Sequence, residues 1–213
     1  IKLLVYAAQF AESFEDSRGY GWGDYDVKFD WHKLMQAKTV ELDRLEGVYH
    51  RILEEAGVDN LVGTGRLADS HTVEVDGKAY TAEHILVATG GWPSMPKIEG
   101  IDQVISSNEA LELNELPKRL VIVGGGYIAV EFAGIFNALG VEVEIIIRAD
   151  NILRGFDDAV RETLRAEMNK KGVIILSKCR INSIKREANG FSLRVDQGAV
   201  SYTHLTLPTS DLV

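Results

Sequence analysis

The chain has 213 residues, of which 46% are hydrophobic and 26% are charged, proportions typical of globular proteins. Its formal net charge of −9 argues against nucleic acid as a partner, because binding a phosphate backbone needs a cationic surface. The single cysteine, Cys179, excludes a disulfide scaffold and a multi-cysteine metal site within these residues. We also expect no membrane partner, because the chain has no apolar run of about 18 residues.

Two helices are predicted in the first quarter of the chain. The first extends from Lys2 to about Phe14 and is followed by the glycine-punctuated loop Arg18–Gly23. The second runs from about Asp30 to Glu55 and ends near Gly57, a common C-terminal residue of helices. Its apolar residues recur at helical spacing, which predicts one buried face. These residues are Trp31, Leu34, Met35, Leu42, Leu45, Tyr49 and Ile52.

Short strands are predicted next. Thr72–Val75 and Lys78–Thr81 flank Asp76-Gly77, the two-residue signal of a β-hairpin. The residues from His84 to Ala88 are typical of a buried strand. The stretch from Trp92 to Pro117 contains three of the four prolines and is predicted to be a connector with one short helical turn.

Strands and helices then alternate, which predicts an α/β protein built from βαβ units. The predicted elements are a strand at Leu120–Val123, a helix from Gly124–Gly126 to Gly140, a strand at Val141–Ile147, a helix at Asp157–Lys171, and strands near 173–176, 180–185 and 191–195.

Both ends of the sequence look unlike natural boundaries. The chain begins at Ile1 without a methionine, and we expect it to be a fragment. The run from Val200 to Thr209 resembles the translated transposase adapter used to build sequencing libraries. Residues 200–213 are therefore predicted to be a non-native tail; the alternative is a genuine strand, which their alternation permits.

The most informative motif follows the strand at 120–123 and reads Gly124-Gly125-Gly126-Tyr127-Ile128-Ala129. In a dinucleotide-binding βαβ unit, the first glycine permits a tight turn and the second lets the backbone approach the pyrophosphate. These roles fall to Gly124 and Gly126, while Ala129 lets the helix and strand pack closely. The N–H groups at the helix start favour the anionic pyrophosphate. The alternative is a glycine-rich turn in an unrelated α/β fold.

The end of the second strand favours NADPH over NADH. NAD sites usually have an acidic residue there to hold the ribose 2′-hydroxyl, whereas this position is Ile147. Arg148 follows directly and Arg154 lies one short loop further on, and two guanidinium groups can clamp a 2′-phosphate. Alternatively, both are solvated loop arginines, and Asp150 could neutralise one of them.

Three stretches resemble the flavin-dependent pyridine nucleotide–disulfide oxidoreductases. They are Tyr80–Gly91, which is similar to the family's second flavin motif, Val123–Gly134, and Ile147–Asp157. The resemblance implies FAD and NADPH as cofactors. It also implies an α/β fold of three-layer Rossmann-like FAD/NAD(P)-binding domains with a small antiparallel β-meander, here incomplete. It favours the members that reduce glutathione disulfide over the dihydrolipoamide dehydrogenases, which would have an acidic residue near Ile147.

The resemblance further implies how the chain is organised. Residues 1–91 correspond to the C-terminal part of the FAD-binding domain, and residues 92–199 to a truncated NADPH-binding Rossmann domain. The family's redox-active cysteine pair would precede Ile1, and the interface domain with its His–Glu acid/base pair would follow the chain. We therefore expect the fragment to be inactive alone and its parent to be a cytoplasmic homodimer.

Site residues carried over from the family have separate roles. Tyr127 would cover the flavin until nicotinamide displaces it, and Glu131 would lie beside both rings. Gly125 and Ile128 would line the path of the nicotinamide and pyrophosphate. The residues expected near FAD are Gly65, Arg66, Leu67, Thr89, Gly90 and Ser107. Tyr49 matches a tyrosine that contacts glutathione; its alternative role is core packing.

Other functions stay open at this point. Another disulfide substrate would keep the same cofactors, a flavin-dependent transhydrogenase would lack the cysteine pair, and a plain nucleotide-binding module would lack flavin. Cys179 itself is not predicted to be redox-active, because the chain has no second cysteine.

Overall fold

The computed structural model describes residues 1–23, 26–188, 190–197 and 200–208. The chain divides into two compact units, one comprising Ile1–Gln36 and Pro93–Val213 and the other comprising Ala37–Trp92. The helices and strands are, in chain order, α1 (Lys2–Ser17), α2 (Trp31–Glu55), β1 (Gly65–Leu67), β2 (Thr72–Val75), β3 (Lys78–Thr81), α3 (Ser107–Ala110), β4 (Arg119–Val123), α4 (Tyr127–Ala138), β5 (Glu142–Ile146), α5 (Asp158–Lys170), β6 (Ile174–Leu176), β7 (Cys179–Glu187), β8 (Gly190–Gln197) and β9 (Val200–Pro208).

A parallel sheet forms the centre of the first unit. Its strands are ordered β4–β5–β6, and α4 connects the first two of them. Successive side chains of a strand point to opposite faces of a sheet. On one face, Leu120, Ile122 and Ile145 share a buried core with Phe132 and Phe136 of α4. Residues of α1, α2 and α5 belong to the same core, so the helices cover this face of the sheet.

The antiparallel sheet β7–β8–β9 covers the opposite face. Val121 of β4 and Ile146 of β5 alternate with the residues that face the helices. They pack against Ile184 and Leu193 of β7 and β8. The first unit therefore has three layers, namely helices, a parallel sheet and an antiparallel meander. This arrangement confirms the predicted Rossmann-like α/β class with a small meander.

The start of α2 is anchored in the helical layer. Trp31 is buried, and the centroid of its ring lies 6.0 Å from that of Phe136. Its Nε1–H donates a 2.8 Å hydrogen bond to the carbonyl oxygen of Leu113, which satisfies a polar group that burial would otherwise leave without a partner.

The connector that begins at residue 93 is fastened to β7. The backbone N–H of Ile184 donates a 2.8 Å hydrogen bond to the carbonyl oxygen of Glu99. Gly100 has a φ of +82°, and a Cβ there would lie 1.9 Å from the Ile184 oxygen, so only glycine fits. The connector contains two short helical turns, Ile101–Gln103 and α3, and the prediction of a single turn is wrong.

The second unit contains a small antiparallel sheet ordered β1–β2–β3. The predicted hairpin is confirmed residue for residue. Asp76 and Gly77 have positive φ values of 48° and 80°, as a type I′ turn requires.

The part of α2 in the second unit does not have the buried face that was predicted. Tyr49 is 66% exposed and Ile52 is 52% exposed. Helical periodicity shows which residues share a face, but the face is buried only where another layer covers it. The described residues of this unit supply no such layer, and the role of Tyr49 stays a prediction.

The strand predicted at His84–Ala88 is absent, and that prediction is wrong. This segment has no regular secondary structure, and Leu86 and Val87 are 90% and 62% exposed. An apolar run becomes a buried strand only beside a hydrogen-bonded neighbour. Among the described residues, no strand pairs with it.

The predicted tail begins with a strand. Residues 200–208 form β9, antiparallel to β8, whereas residues 209–213 lie outside the described part of the chain. Strand pairing does not depend on the origin of a sequence, so the non-native origin of the tail stays a prediction. No described helix is both long and apolar enough to cross a membrane.

Candidate dinucleotide-binding site

A cavity of about 720 Å³ opens in the first unit where β4 and β5 end. The carboxyl ends of parallel strands are the usual place for a ligand in such sheets. Gly124 and Gly126 line the cavity on one side, Arg148 and Arg180 line it on another, and Ser107 contributes from the connector. The predicted glycine turn and one predicted arginine therefore face the same space.

The three glycines of the turn differ in what surrounds them. Gly124 has a φ of +134°, which restricts this position to glycine. A Cβ on Gly125 would lie 2.8 Å from Cγ2 of Ile147, so close packing against the residue that follows β5 depends on this glycine. A Cβ on Gly126 would meet no protein atom within 4 Å, so the protein itself does not require a glycine there.

The open space at Gly126 fits a pyrophosphate group. Gly126 is the N-cap residue of α4, and no side chain accepts a hydrogen bond from the helix start. The first N–H groups of a helix have no partner within the helix and carry a partial positive charge. A dinucleotide backbone can therefore approach Gly126 closely and accept these hydrogen bonds.

The loop that carries the two predicted arginines is held from α5. Arg161 Nε donates a 2.8 Å hydrogen bond to the carbonyl oxygen of Ile152, and Arg165 Nη1 donates one of 2.8 Å to that of Asp150. The loop also reaches the glycine turn, since the N–H of Leu153 donates to the Gly125 carbonyl oxygen at 2.6 Å. Sequence reasoning missed Arg161 and Arg165, whose spacing of four residues places them on one helix face.

Asp150 pairs with α5 instead of with the predicted arginines. Its Oδ1 lies 3.7 Å from Nη2 of Arg161. Arg161 also contacts Asp158. Arg148 and Arg154 are exposed, and within the described residues neither has a hydrogen bond or an ion pair. The suggestion that Asp150 neutralises one of the two is therefore wrong, and both guanidinium groups are available to an anion.

Tyr127, Ile128 and Glu131 lie in the first turns of α4. Tyr127 is 62% exposed and Ile128 is 39% exposed, and Ile128 and Ala129 line the cavity. Residues four apart share a helix face, so Tyr127 and the exposed Glu131 lie on the same side of α4. This placement suits contacts with a ligand that extends from the glycine turn.

The residues expected near FAD are divided between the units. Ser107 lines the cavity of the first unit. Gly65, Arg66 and Leu67 form β1 of the second unit, where the Arg66 guanidinium pairs with Glu74 of β2. Thr89 and Gly90 lie in a segment without regular secondary structure, where Gly90 has a φ of 73°. Their roles stay predictions.

Cys179 lies in the wall of the cavity as a free thiol. It is buried, its Sγ–H donates a 3.3 Å hydrogen bond to the carbonyl oxygen of Ser177, and burial raises the pKa of the thiol. A thiol that resists ionisation is a poor nucleophile, and the lack of a redox role for Cys179 stays a prediction.

These features define a dinucleotide-binding α/β protein, and comparison with protein families identifies the class. Residues 2–206 match the pyridine nucleotide-disulphide oxidoreductases, and the chain belongs to this family.

Its relatives include glutathione reductases. The chloroplastic/mitochondrial glutathione reductase of Pisum sativum is 44% identical over 211 residues, which cover 98% of this chain and 38% of that protein. The glutathione reductase of Burkholderia cepacia is 41% identical, over 92% of this chain and 44% of its own length. The chain thus spans about two fifths of these relatives.

A solved structure has a similar fold. It is a mutant of the HOCl-induced flavoprotein disulfide reductase RclA from Escherichia coli, in complex with Cu(II). The TM-score is 0.76 at 25% sequence identity, over 94% of this chain and 43% of that one. The similarity extends over both units described above.

Proposed function

We propose that this chain is the pyridine-nucleotide-binding part of an NADPH-dependent, FAD-containing disulfide reductase whose substrate is glutathione disulfide. One observation carries the choice of nucleotide. After β5 the chain presents Arg148 and Arg154, both exposed and without partners among the described residues, where an NAD site would have an acid. The kinship with glutathione reductases supports the choice of substrate.

The chain's own residues bind and orient the nucleotide. The N–H groups at the start of α4 receive the pyrophosphate beside Gly126, and Arg148 and Arg154 hold the 2′-phosphate. Tyr127 and Glu131 lie further along, where the nicotinamide would extend. FAD, when bound, supplies the redox chemistry that carries reducing equivalents from NADPH to a disulfide.

The whole protein is proposed to be a cytoplasmic homodimer, and this chain is proposed to be inactive alone. A disulfide reductase needs a pair of cysteines that cycles between thiol and disulfide. This chain has only Cys179, which is buried. Residues 1–91 are proposed to belong to the FAD-binding domain and 92–199 to the NADPH-binding domain.

The experiment uses a full-length protein that contains this sequence. The purified flavoprotein is mixed with NADPH, and the loss of NADPH absorbance is followed with and without glutathione disulfide. Fast oxidation that requires glutathione disulfide supports the proposal. If NADPH reduces the flavin but glutathione disulfide does not accelerate NADPH oxidation, glutathione disulfide is not the substrate. That result favours another disulfide or a transhydrogenase. Equal rates with NADH and NADPH would refute the choice of nucleotide.

A further inference from the structure

Arg180 lines the same cavity as Arg148 and was not predicted as a site residue. It is exposed at the start of β7, and it lines the cavity together with Arg148, Gly124 and Gly126. The sequence did not predict that Arg180 lies near Arg148, because the two positions are far apart along the chain.

The backbone explains why Arg180 comes close to Arg148. After β6 the chain turns back on the end of β5, and Lys178 adopts a left-handed conformation with a φ of +58°. The N–H of Cys179 donates to the carbonyl oxygen of Ile147, and the N–H of Lys178 donates to that of Ala149, both at 2.9 Å. These two hydrogen bonds flank Arg148, so the next residue, Arg180, emerges beside it.

Arg180 forms no ion pair with an acidic group of the described chain. Across the sheet it is paired in register with Asp196, whose carboxylate accepts a hydrogen bond from Asn182 Nδ2 at 2.5 Å. Arg180 itself has no ion pair or hydrogen bond to a described residue. By contrast, Arg119, at the opposite end of β4, contacts Glu142 and Glu144.

We infer that Arg180 contacts the 2′-phosphate of a bound NADP(H) and helps to select it over NAD(H). This inference rests on the proposed function. In βαβ dinucleotide sites the adenosine end lies over the strand that follows the glycine turn's helix. Here that strand is β5, and the β6–β7 turn lies on its outer side. A 2′-phosphate carries a charge of about −1.5 to −2, which two or three guanidinium groups can balance.

The test measures binding to the complete 213-residue chain by isothermal titration calorimetry. The ligands are NADP⁺, NAD⁺ and adenosine 2′,5′-bisphosphate, which has the 2′-phosphate but no nicotinamide. We expect Arg180→Gln to weaken NADP⁺ and the bisphosphate roughly tenfold, the effect of one charge-assisted hydrogen bond. The affinity for NAD⁺ should change by less than about twofold. Arg180→Lys should weaken NADP⁺ binding less than Arg180→Gln does, since lysine keeps the positive charge but lacks the two parallel N–H donors of the guanidinium group.

Arg194→Gln is the matched control, because Arg194 is an exposed arginine of β8 in the same meander and does not line the cavity. It should bind all three ligands as the unsubstituted chain does, and circular dichroism should show that each variant is folded. Unchanged NADP⁺ binding by Arg180→Gln, or equal losses for NADP⁺ and NAD⁺, would overturn the inference while the proposed function stands. An unsubstituted chain that does not prefer NADP⁺ would overturn both.

Discussion

Replacing Gly126 by alanine should separate folding from nucleotide binding. Gly126 has φ −77° and ψ 174°, a conformation that alanine adopts without strain, and the added Cβ would meet no protein atom within 4 Å. Alanine is a poorer N-cap than glycine, but it also lowers the entropy of the unfolded chain. These effects oppose each other, so the free energy of unfolding should change by less than about 1 kcal/mol.

Nucleotide binding should respond much more strongly to the same methyl group. The Cβ would occupy the space through which the pyrophosphate approaches the helix start. Inserting a methyl into a close-packed contact costs about 1–3 kcal/mol, which corresponds to a loss of affinity of about 5- to 150-fold. NADP⁺ and NAD⁺ should lose affinity equally, because both contain the pyrophosphate.

Urea unfolding followed by circular dichroism and calorimetric titration test the two halves of this prediction. Gly134→Ala is the control, since a Cβ at this α4 position also meets nothing within 4 Å, and it should leave nucleotide binding unchanged. Gly125→Ala should instead lower the free energy of unfolding by about 1–3 kcal/mol, because its Cβ would lie 2.8 Å from Ile147 Cγ2. Unaltered affinity in Gly126→Ala would refute the pyrophosphate assignment.

Three other substitutions or reagents test the neighbouring features. Changing both Arg148 and Arg154 to glutamine should weaken NADP⁺ binding about 100-fold, roughly tenfold for each charge-assisted contact. The same change should weaken NAD⁺ binding by less than about threefold. Equal losses for the two nucleotides, measured by calorimetry, would contradict the 2′-phosphate assignment. Arg165→Met removes hydrogen bonds to the carbonyl oxygens of Asp150 and Ile175 and to Ser177 Oγ. It should therefore lower the free energy of unfolding by about 2 kcal/mol, and an unchanged urea midpoint would count against a bracing role. Because burial raises the pKa of Cys179, iodoacetamide should modify this thiol slowly in the native chain and quickly in urea. Mass spectrometry can follow both reactions, and equal modification rates in the two conditions would show that the thiol is accessible.

Local patterns predicted much of the fold. The hairpin at Asp76-Gly77 depends on two residues that accept positive φ, and its strand bounds were predicted residue for residue. The glycine turn after β4 was likewise recognisable, because the strand, the turn and the helix are consecutive in the chain. Helix α2 was predicted within one residue of its start, since helical periodicity over many residues is a strong signal.

Features that depend on distant parts of the chain were not predictable. The strand expected at residues 84–88 needed a neighbour that the described chain does not supply. The contacts of Arg161 and Arg165 with the loop at 150–152 follow from how α5 packs, and no local motif marks them. Arg180 reaches the cavity only because the turn at Lys178 brings β7 back beside Arg148, a change of direction that strand propensity does not reveal.

The uncovered segment at 84–88 also affects how the chain behaves among many copies of itself. Ile85, Leu86, Val87 and Ala88 form an apolar run that has no regular secondary structure and is largely open to solvent. Such a run can template pairing with the same run of another chain. We expect a charged side chain in place of Leu86 to reduce such pairing without touching the cavity, because Leu86 does not line it.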